Sequence, residues 1–349
     1  MYDKGEKQKA GVEMDSIKGL KEYVKSEGYR KALGLPDEQE ETYQLLAQGE
    51  YNRNYYFVHP ITRQELVLRV NCGSQMHLEH QIEYEAQALE LLAECGRTPK
   101  VFYVDGSKKL LEHGVLVMEY LSGHVLDYRT ECKFAAECLA DIHSVQSDKM
   151  REYLIAPEGA VEAILTECEE MFRVYEESPL GEEKKKSKIR NLLKQGWEKA
   201  KESNLDCPYK CCINTELNST NFLINGENEK NYLIDWEKPL FGDPAQDLGH
   251  FLAPTTTFWK TDVILSREEM DRFVAAYIAN VKGRFSTEGL KERVDVFVPI
   301  TCLRGITWCA MAWIQYKQPD KLIFNESTFR KLEEYLSWDF LEMIEQQFE

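Results

Sequence analysis

The sequence predicts an α+β protein in two parts, a small antiparallel-sheet lobe followed by a larger helical one. Three observations carry this reading. Apolar segments with strand character crowd residues 42–71 and return at 101–123, with one amphipathic helix between them. Beyond Gly123 the apolar positions recur mainly at helical spacing. The chain has 349 residues, enough for two lobes with cores of their own. The division is set at 1–121 and 122–349.

Taken in order, Asp15 or Ser16 can cap a first helix whose apolar positions Ile17, Leu20 and Val24 share one face. Leu35-Pro36 and a charge-rich turn lead to Thr42. TYQLLAQ, NYYFVHP and ELVLRVN then read as an antiparallel meander, separated by GEYNR and ITRQ. An amphipathic helix is expected from Met76 to Cys95, with Ile82, Ala86, Leu89 and Leu92 or Ala93 facing inward. VFYVDG and GVLVMEYLSG supply two further strands, and Gly123 marks the crossover. FAAECLADIHSV, 160–175 and 188–201 follow as helices. The charge run EESPLGEEKKKSK between the last two reads as a solvated loop or frayed helix end. Ser266 with Glu269 makes a capping box for EEMDRFVAAYI. The apolar run VFVPITCLRGITWCAMAWIQY, carrying Trp308 and Trp313, is expected to be a buried helix.

Between these helices lies the stretch on which function turns, CCINTELNSTNFLINGENEKNYLIDWEKPLFGDPAQDLGHFL, residues 211–252. Its two short apolar runs, Asn221–Ile224 and Tyr232–Ile234, flank a turn and form a β-hairpin. Glu216 and Asn221 precede the hairpin and Asp235 follows it. Oxygen ligands so gathered suit a hard cation such as Mg²⁺, and a remaining carboxylate can take a proton from a hydroxyl.

Here the chain resembles the aminoglycoside phosphotransferase and choline kinase superfamily. That superfamily carries His-x-Asp-x-x-x-x-Asn, a short hairpin, Ile-Asp-Trp/Phe-Glu and Gly-Asp-Pro-x-x-Asp-Leu. The match is strong over LIDWEKPLFGDPAQDL, and Asn221 and Asp235 fit the pattern. Asn214 and Glu216 stand where the family has His and Asp. The resemblance implies a two-lobed protein-kinase-like fold and an ATP- and Mg²⁺-dependent transfer of the γ-phosphate to a hydroxyl of a small molecule. An amino alcohol, a sugar or an aminoglycoside-like compound would be the acceptor. The alternative is a catalytically weak or dead relative acting as a nucleotide-binding sensor or scaffold.

Carried over residue by residue, the resemblance makes Glu216 the catalytic base, with Asn214 in the same loop, and makes Asn221 and Asp235 the metal ligands. Asn221 as a turn residue and Asp235 as a cap are the plainer readings. Gly49, Asn52 and Asn54 lie in the turn that would cover the nucleotide phosphates, although such turns are often simple hairpins. Arg69 on the third strand and Glu85 on the long helix would hold phosphate, with Glu83 the competing partner and a weak exposed ion pair the alternative. Met118, Glu119 and Leu121 join the lobes and would bind adenine through the Glu119 carbonyl and the Leu121 amide. Asp247 would support the Asn214–Glu216 loop by accepting backbone hydrogen bonds, and His143 would be a packed structural histidine. Glu237 of the IDWE motif, Trp308 and Trp313 are substrate candidates, since aromatic faces receive cations; core packing is the plainer explanation of the tryptophans.

Composition bounds the partners. The net charge of −17 opposes nucleic acid, whose phosphates it would repel, and is compatible with a cationic acceptor or with a solubilising surface. The sequence shows no apolar run of membrane-spanning length and no signal-peptide core, so a cytoplasmic protein with a small-molecule acceptor and no membrane partner is expected. Of ten cysteines only Cys207, Cys211 and Cys212 cluster, and with no matching second Cys/His pair they read as reduced structural thiols before a zinc site.

Overall fold

The computed structural model describes residues 14–49, 51–318 and 325–348. Glu50 of the first hairpin turn and the side chain of Asp15, one of the two expected caps, lie outside that description.

Along the chain, α1 (Leu20–Val24) and α2 (Glu27–Leu33) precede β1 (Gln44–Gln48), β2 (Asn52–Val58) and β3 (Glu65–Asn71). Next come α3 (Gln81–Leu92), β4 (Val101–Asp105), β5 (Gly114–Glu119) and β6 (His124–Val125). Helices α4 (Cys132–His143), α5 (Asp148–Tyr153), α6 (Ala160–Glu177) and α7 (Glu183–Glu202) lead to β7 (Cys211–Ile213), β8 (Phe222–Ile224), β9 (Tyr232–Leu233) and β10 (Leu240–Gly242). The chain continues through α8 (Pro244–Leu252), α9 (Pro254–Lys260), α10 (Arg267–Val281), α11 (Leu290–Tyr316), α12 (Glu326–Tyr335) and α13 (Trp338–Glu345). Two compact units interleave in this order. The first takes the residues up to Leu126, Val145–Ile155 and Asn221–Pro239; the second takes Asp127–Ser144, Ala156–Thr220 and the rest from Leu240.

In the first unit, β1 to β5 form an antiparallel sheet in the order β1-β2-β3-β5-β4. Central β3 is buried from Leu66 to Asn71. One face of the sheet packs with α1 and α2 through Leu20, Tyr23, Tyr29, Tyr55, Phe57 and Leu68. Helix α3 packs against β4 and β5 and buries Ile82, Ala86, Leu89 and Leu92, while Ala93 is exposed. The helix starts at Gln81 rather than Met76 and gives way to a 3₁₀ turn at Ala93. The first helix also departs from expectation. It begins at Leu20 behind Gly19, whose φ of 85° is open to glycine at little strain, so neither Asp15 nor Ser16 caps it. Ile17, Leu20 and Val24 are nevertheless all buried. Strands β6, β8 and β9 form a second, three-stranded sheet that contains the hairpin.

The second unit is built around α11, which packs on α6 and α8, with α4 against α10. The close approach of α8 depends on Gly249, where a Cβ would stand 2.4 Å from the Cβ of Phe297. Helix α11 is apolar enough, at mean hydropathy 1.4, and long enough to cross a membrane, but 72% of that window is buried inside the protein as a core helix is. Glu183–Lys188 of the charge run is helical, correcting the loop reading; Lys186 is buried, and its ammonium donates to the Ser178 carbonyl at 3.0 Å. The expected capping box at Ser266 and Glu269 is present in full.

Candidate active site

In the first unit the antiparallel register sets Asn54 on β2 opposite Arg69 on β3. Arg69 Nε donates to Asn54 Oδ1 at 3.0 Å, and Nη1 donates both to Glu85 and, at 3.2 Å, to Asp235 Oδ1. Arg69 and Glu85 are almost fully buried, so each charge depends on the other to offset its desolvation. Burial pushes the Glu85 carboxyl up to about 7, helped by Asp235 and opposed by the guanidinium and the Trp236 N–H. Burial alone would lower Arg69, but Glu85, Asp235 and Glu237 outweigh it and hold the guanidinium charged. Glu83 lies 3.6 Å from His80 instead, so Arg69 is paired with Glu85.

Asp235 directly follows the hairpin in the left-handed region, φ 67°, which non-glycine residues adopt only where surrounding structure enforces it. Trp236, with no exposed surface, donates to the Leu233 carbonyl at 3.1 Å, and Ile234 N–H donates to the Asn221 carbonyl at 2.9 Å. These contacts fix both ends of the hairpin. Beyond it, the Glu237 carboxylate accepts from Asn52 Nδ2, whose own Oδ1 accepts from Asn71. Gln81 and Tyr84 donate to the carbonyls of Glu237 and Pro239 at 2.7 and 2.6 Å. Sequence reasoning missed Asn71, Gln81 and Tyr84; amides and a tyrosine on a strand and helix give no signal until tertiary contacts exist. Asp235 and Glu237 each present an oxygen within 4.8 Å of the other, a hard donor set suited to Mg²⁺.

The remaining nucleotide-site candidates lie in the β1–β2 turn and at the end of β5. Gly49 N–H donates to the Asn52 carbonyl at 2.9 Å and closes the β1–β2 turn. Met118 is buried in β5, Glu119 N–H donates to the Lys100 carbonyl at 2.8 Å, and Leu121 follows, half-buried.

In the second unit the loop after β7 holds Asn214 and Glu216. The Asp247 carboxylate, without exposed surface, accepts from the N–H groups of Asn214 and Thr215 at 2.8 Å each. Behind it, His143 Nε2 donates to Asp247 Oδ2 at 3.2 Å, and the Tyr277 hydroxyl lies 2.8 Å from His143 Nδ1. Burial keeps the Tyr277 proton on, so that hydroxyl donates. Asn214 is buried and its Oδ1 accepts the Glu216 N–H at 3.0 Å, while Thr215 takes φ 68°. The Asn214 side chain thus shapes the turn that presents Glu216, which is half-buried. His143 is a packed residue, yet its bonds to Asp247 and Tyr277 make it a support of this loop.

Trp308 departs from the buried-helix expectation, since 36% of it is exposed, and it meets Trp259 edge-on at 5.4 Å. Trp313 meets Tyr175 instead, and Lys317 lies over its ring at 5.0 Å from the centroid. Five positions along a helix turn the side chain by about 140°, so the two tryptophans address different neighbours. Arg304, on the same helix, is clamped by Glu167 at 2.8 and 3.1 Å, and Glu216 is among the carboxylates that keep it charged. Sequence reading did not single it out. Burial pushes the thiols of Cys207 and Cys211 up, the former to about 11, which opposes the thiolates a zinc site needs.

No curated protein matches the chain by sequence. Solved structures do match by fold. An aminopropanol kinase associated with a microcompartment superposes with a TM-score of 0.62 at 16% identity, covering 91% of this chain and 95% of that one. An ethanolamine kinase from Plasmodium vivax gives 0.61 at 14% identity, with 94% of each chain covered. A spectinomycin phosphotransferase in complex with ADP and spectinomycin gives 0.61 at 13% identity, covering 88% and 93%. The fold is thus the kinase-like one. The phosphotransferase enzyme family matches residues 42–290, well over half of the chain, a span that takes in the sheet, Arg69, Glu85, the Asp247-braced loop and the hairpin, and the chain belongs to that family.

Proposed function

We propose that this protein is a small-molecule kinase that moves the γ-phosphoryl group of ATP to a hydroxyl of an amino alcohol, a sugar or an aminoglycoside-like acceptor. The observation that carries the proposal is the buried Arg69 guanidinium, held between Glu85 and Asp235. A charge kept in place at that desolvation cost is what phosphate binding requires. In this reading the Gly49–Asn54 turn covers the phosphates, with Asn52 and Asn54 oriented by Glu237 and Arg69. The Glu119 carbonyl and the Leu121 amide, after Met118, receive the adenine.

Asn221 and Asp235 would hold Mg²⁺, which supplies neutralisation of phosphate charge when bound. The carboxylate oxygens of Asp235 and Glu237, within 4.8 Å of each other, make a hard donor set that fits that ion. Glu216 accepts the proton of the acceptor hydroxyl as its oxygen bonds to phosphorus and ADP departs. Its extra methylene relative to Asp moves the oxygens by roughly an ångström, a shift that can change rates about 10²-fold unless the loop compensates. Asn214 positions Glu216 through their side chain–backbone bond. Glu237 and Trp308 are assigned to the acceptor, Trp308 because its exposed surface can meet a cation. Trp313 is the weaker candidate because Lys317 already covers its ring.

The second reading, a nucleotide-binding sensor with little transfer, rests on Asn214 and Glu216 departing from the family pattern. Phosphate transfer across a panel of amino alcohols, sugars and aminoglycosides separates the two. Transfer to one acceptor class supports the kinase; Mg²⁺-dependent ATP binding with no turnover on any of them supports the sensor.

A further inference from the structure

Arg304 and Trp308 are four positions apart on α11, so they neighbour one another on one side of the helix with Cβ atoms about 5–6 Å apart. Arg304 is held side-on: Nε and Nη2 donate to the two oxygens of Glu167 on α6. Nη1 is left over. It bonds to no described residue, and it is not among the partnerless atoms shut inside the protein. With 26% of the side chain exposed, its two N–H groups reach solvent. Burial is nevertheless the largest influence on this guanidinium, so Arg304 lies in a recess and not on an outer surface. The charge of Glu216 also reaches it, which places the proposed base beside the same recess. Trp308 is propped against Trp259 and keeps 36% of its surface open.

These groups discriminate between kinds of ligand. Glu167 is already neutralised by Arg304, and a guanidinium charge stands one helical turn from the Trp308 ring, so a cation gains little there. An anion meets Glu167 and Glu216. Adjacent hydroxyls suit the pair, because Nη1 offers donors and the Glu167 carboxylate, 42% exposed, keeps acceptor positions that Arg304 does not take. On the kinase reading above, we infer that the acceptor is a neutral polyol, a sugar or cyclitol with adjacent hydroxyls, selected by Arg304, Glu167 and Trp308. Arg304 Nη1 donates to one hydroxyl, Glu167 accepts from its neighbour, and the C–H face of the ring covers Trp308.

The subsite is tested by calorimetric titration of the full chain with D-ribose, D-glucose and myo-inositol, beside choline and D-glycerate. Transfer from ATP with Mg²⁺ is then measured on the same compounds. At least one polyol is expected to bind, with an affinity that stays level as salt rises, since neither partner's net charge is screened in the contact. Arg304→Gln should weaken that binding about tenfold or more and act on the acceptor KM before kcat. Should Arg304→Gln fail to fold, Trp308→Ala decides, because that side chain is exposed; it should weaken polyol binding several-fold. No binding by any of the three polyols, choline or D-glycerate binding more tightly than all of them, or polyol affinity unchanged in the variants would each overturn the subsite. The kinase reading fails separately. Transfer to choline alone keeps the kinase and removes the subsite, whereas polyol binding that Arg304→Gln weakens, with no transfer, keeps the subsite and removes the kinase.

Discussion

The two units hold their candidate catalytic groups by opposite means. In the first, side-chain charges hold one another: Arg69 is fixed by Glu85, Asp235 and Asn54. In the second, a buried carboxylate holds backbone: Asp247 grips the amides of Asn214 and Thr215, and His143 and Tyr277 grip Asp247. The difference bears on which residues can vary. A network of charges loses its function when any member changes, because a buried partner is left uncompensated. A loop gripped by its N–H groups depends less on the side chains it carries, although Asn214 still shapes the turn at Glu216. This fits the positions where the chain departs from the family pattern. Asn214 and Glu216 lie in the loop held by its backbone, whereas Arg69, Glu85 and Asp235 keep their expected types.

The comparison breaks most sharply at Glu216. If the loop is only a frame and the carboxylate works as the base, Glu216→Gln keeps ATP affinity and loses about 10²–10⁴-fold in transfer, since an amide cannot take the proton. Glu216→Asp sharpens the point. A loop that has shifted to suit the longer side chain leaves Asp short of the hydroxyl and lowers kcat; an unshifted loop lets Asp match or exceed Glu. Transfer gained only in Glu216→Asp identifies the protein as a decayed kinase, and equal rates in all three proteins exclude this carboxylate as the base.

Asp247→Ala tests the grip itself. Removing a buried carboxylate strands two N–H groups and His143, and a loss of about 3–5 kcal/mol in the second unit is expected, read from denaturant midpoints. The surviving folded protein should retain ATP affinity with a lowered kcat. If stability falls while kcat does not, the loop does not depend on this support.

Asp235→Asn should weaken Mg²⁺-dependent ATP binding by about 10²-fold, at the upper end of the 10–100-fold typical of outer-shell partners, while Asn still tolerates φ 67°. Asn221→Ala is expected to have the smaller effect. Nucleotide affinity with the same Mg²⁺ dependence in both variants would remove the metal assignment.

The smallest effect concerns pH. Folded Glu85 keeps its proton up to about 7, against 4.5 in the unfolded chain, so between these values the folded state binds more protons. Its contribution is therefore fully present below 4.5 and lost as pH rises through 7. Glu85→Gln should flatten the fall in stability across that window by on the order of 1–3 kcal/mol. An unchanged slope in thermal or urea midpoints would show that the pair is ionised throughout.

The sequence by itself determined the parts governed by local periodicity and motif. The strand meander, the apolar face of α3, the Ser266–Glu269 capping box and the hairpin ahead of Asp235 all follow from residue spacing within one element. The likeness of LIDWEKPLFGDPAQDL to a known pattern extended that reach to residues far apart in the chain. Tertiary structure alone decided the rest. Glu85 rather than Glu83 meets Arg69 because α3 presents that face to β3. Asn214 turned out to be a turn-former because its buried side chain has the Glu216 N–H in reach. Lys186 is buried in a run that reads as solvated, and Trp308 is exposed in a run that reads as core. Each of these depends on which surfaces meet when distant segments pack, and residue spacing within one segment holds no information about the neighbour it will face.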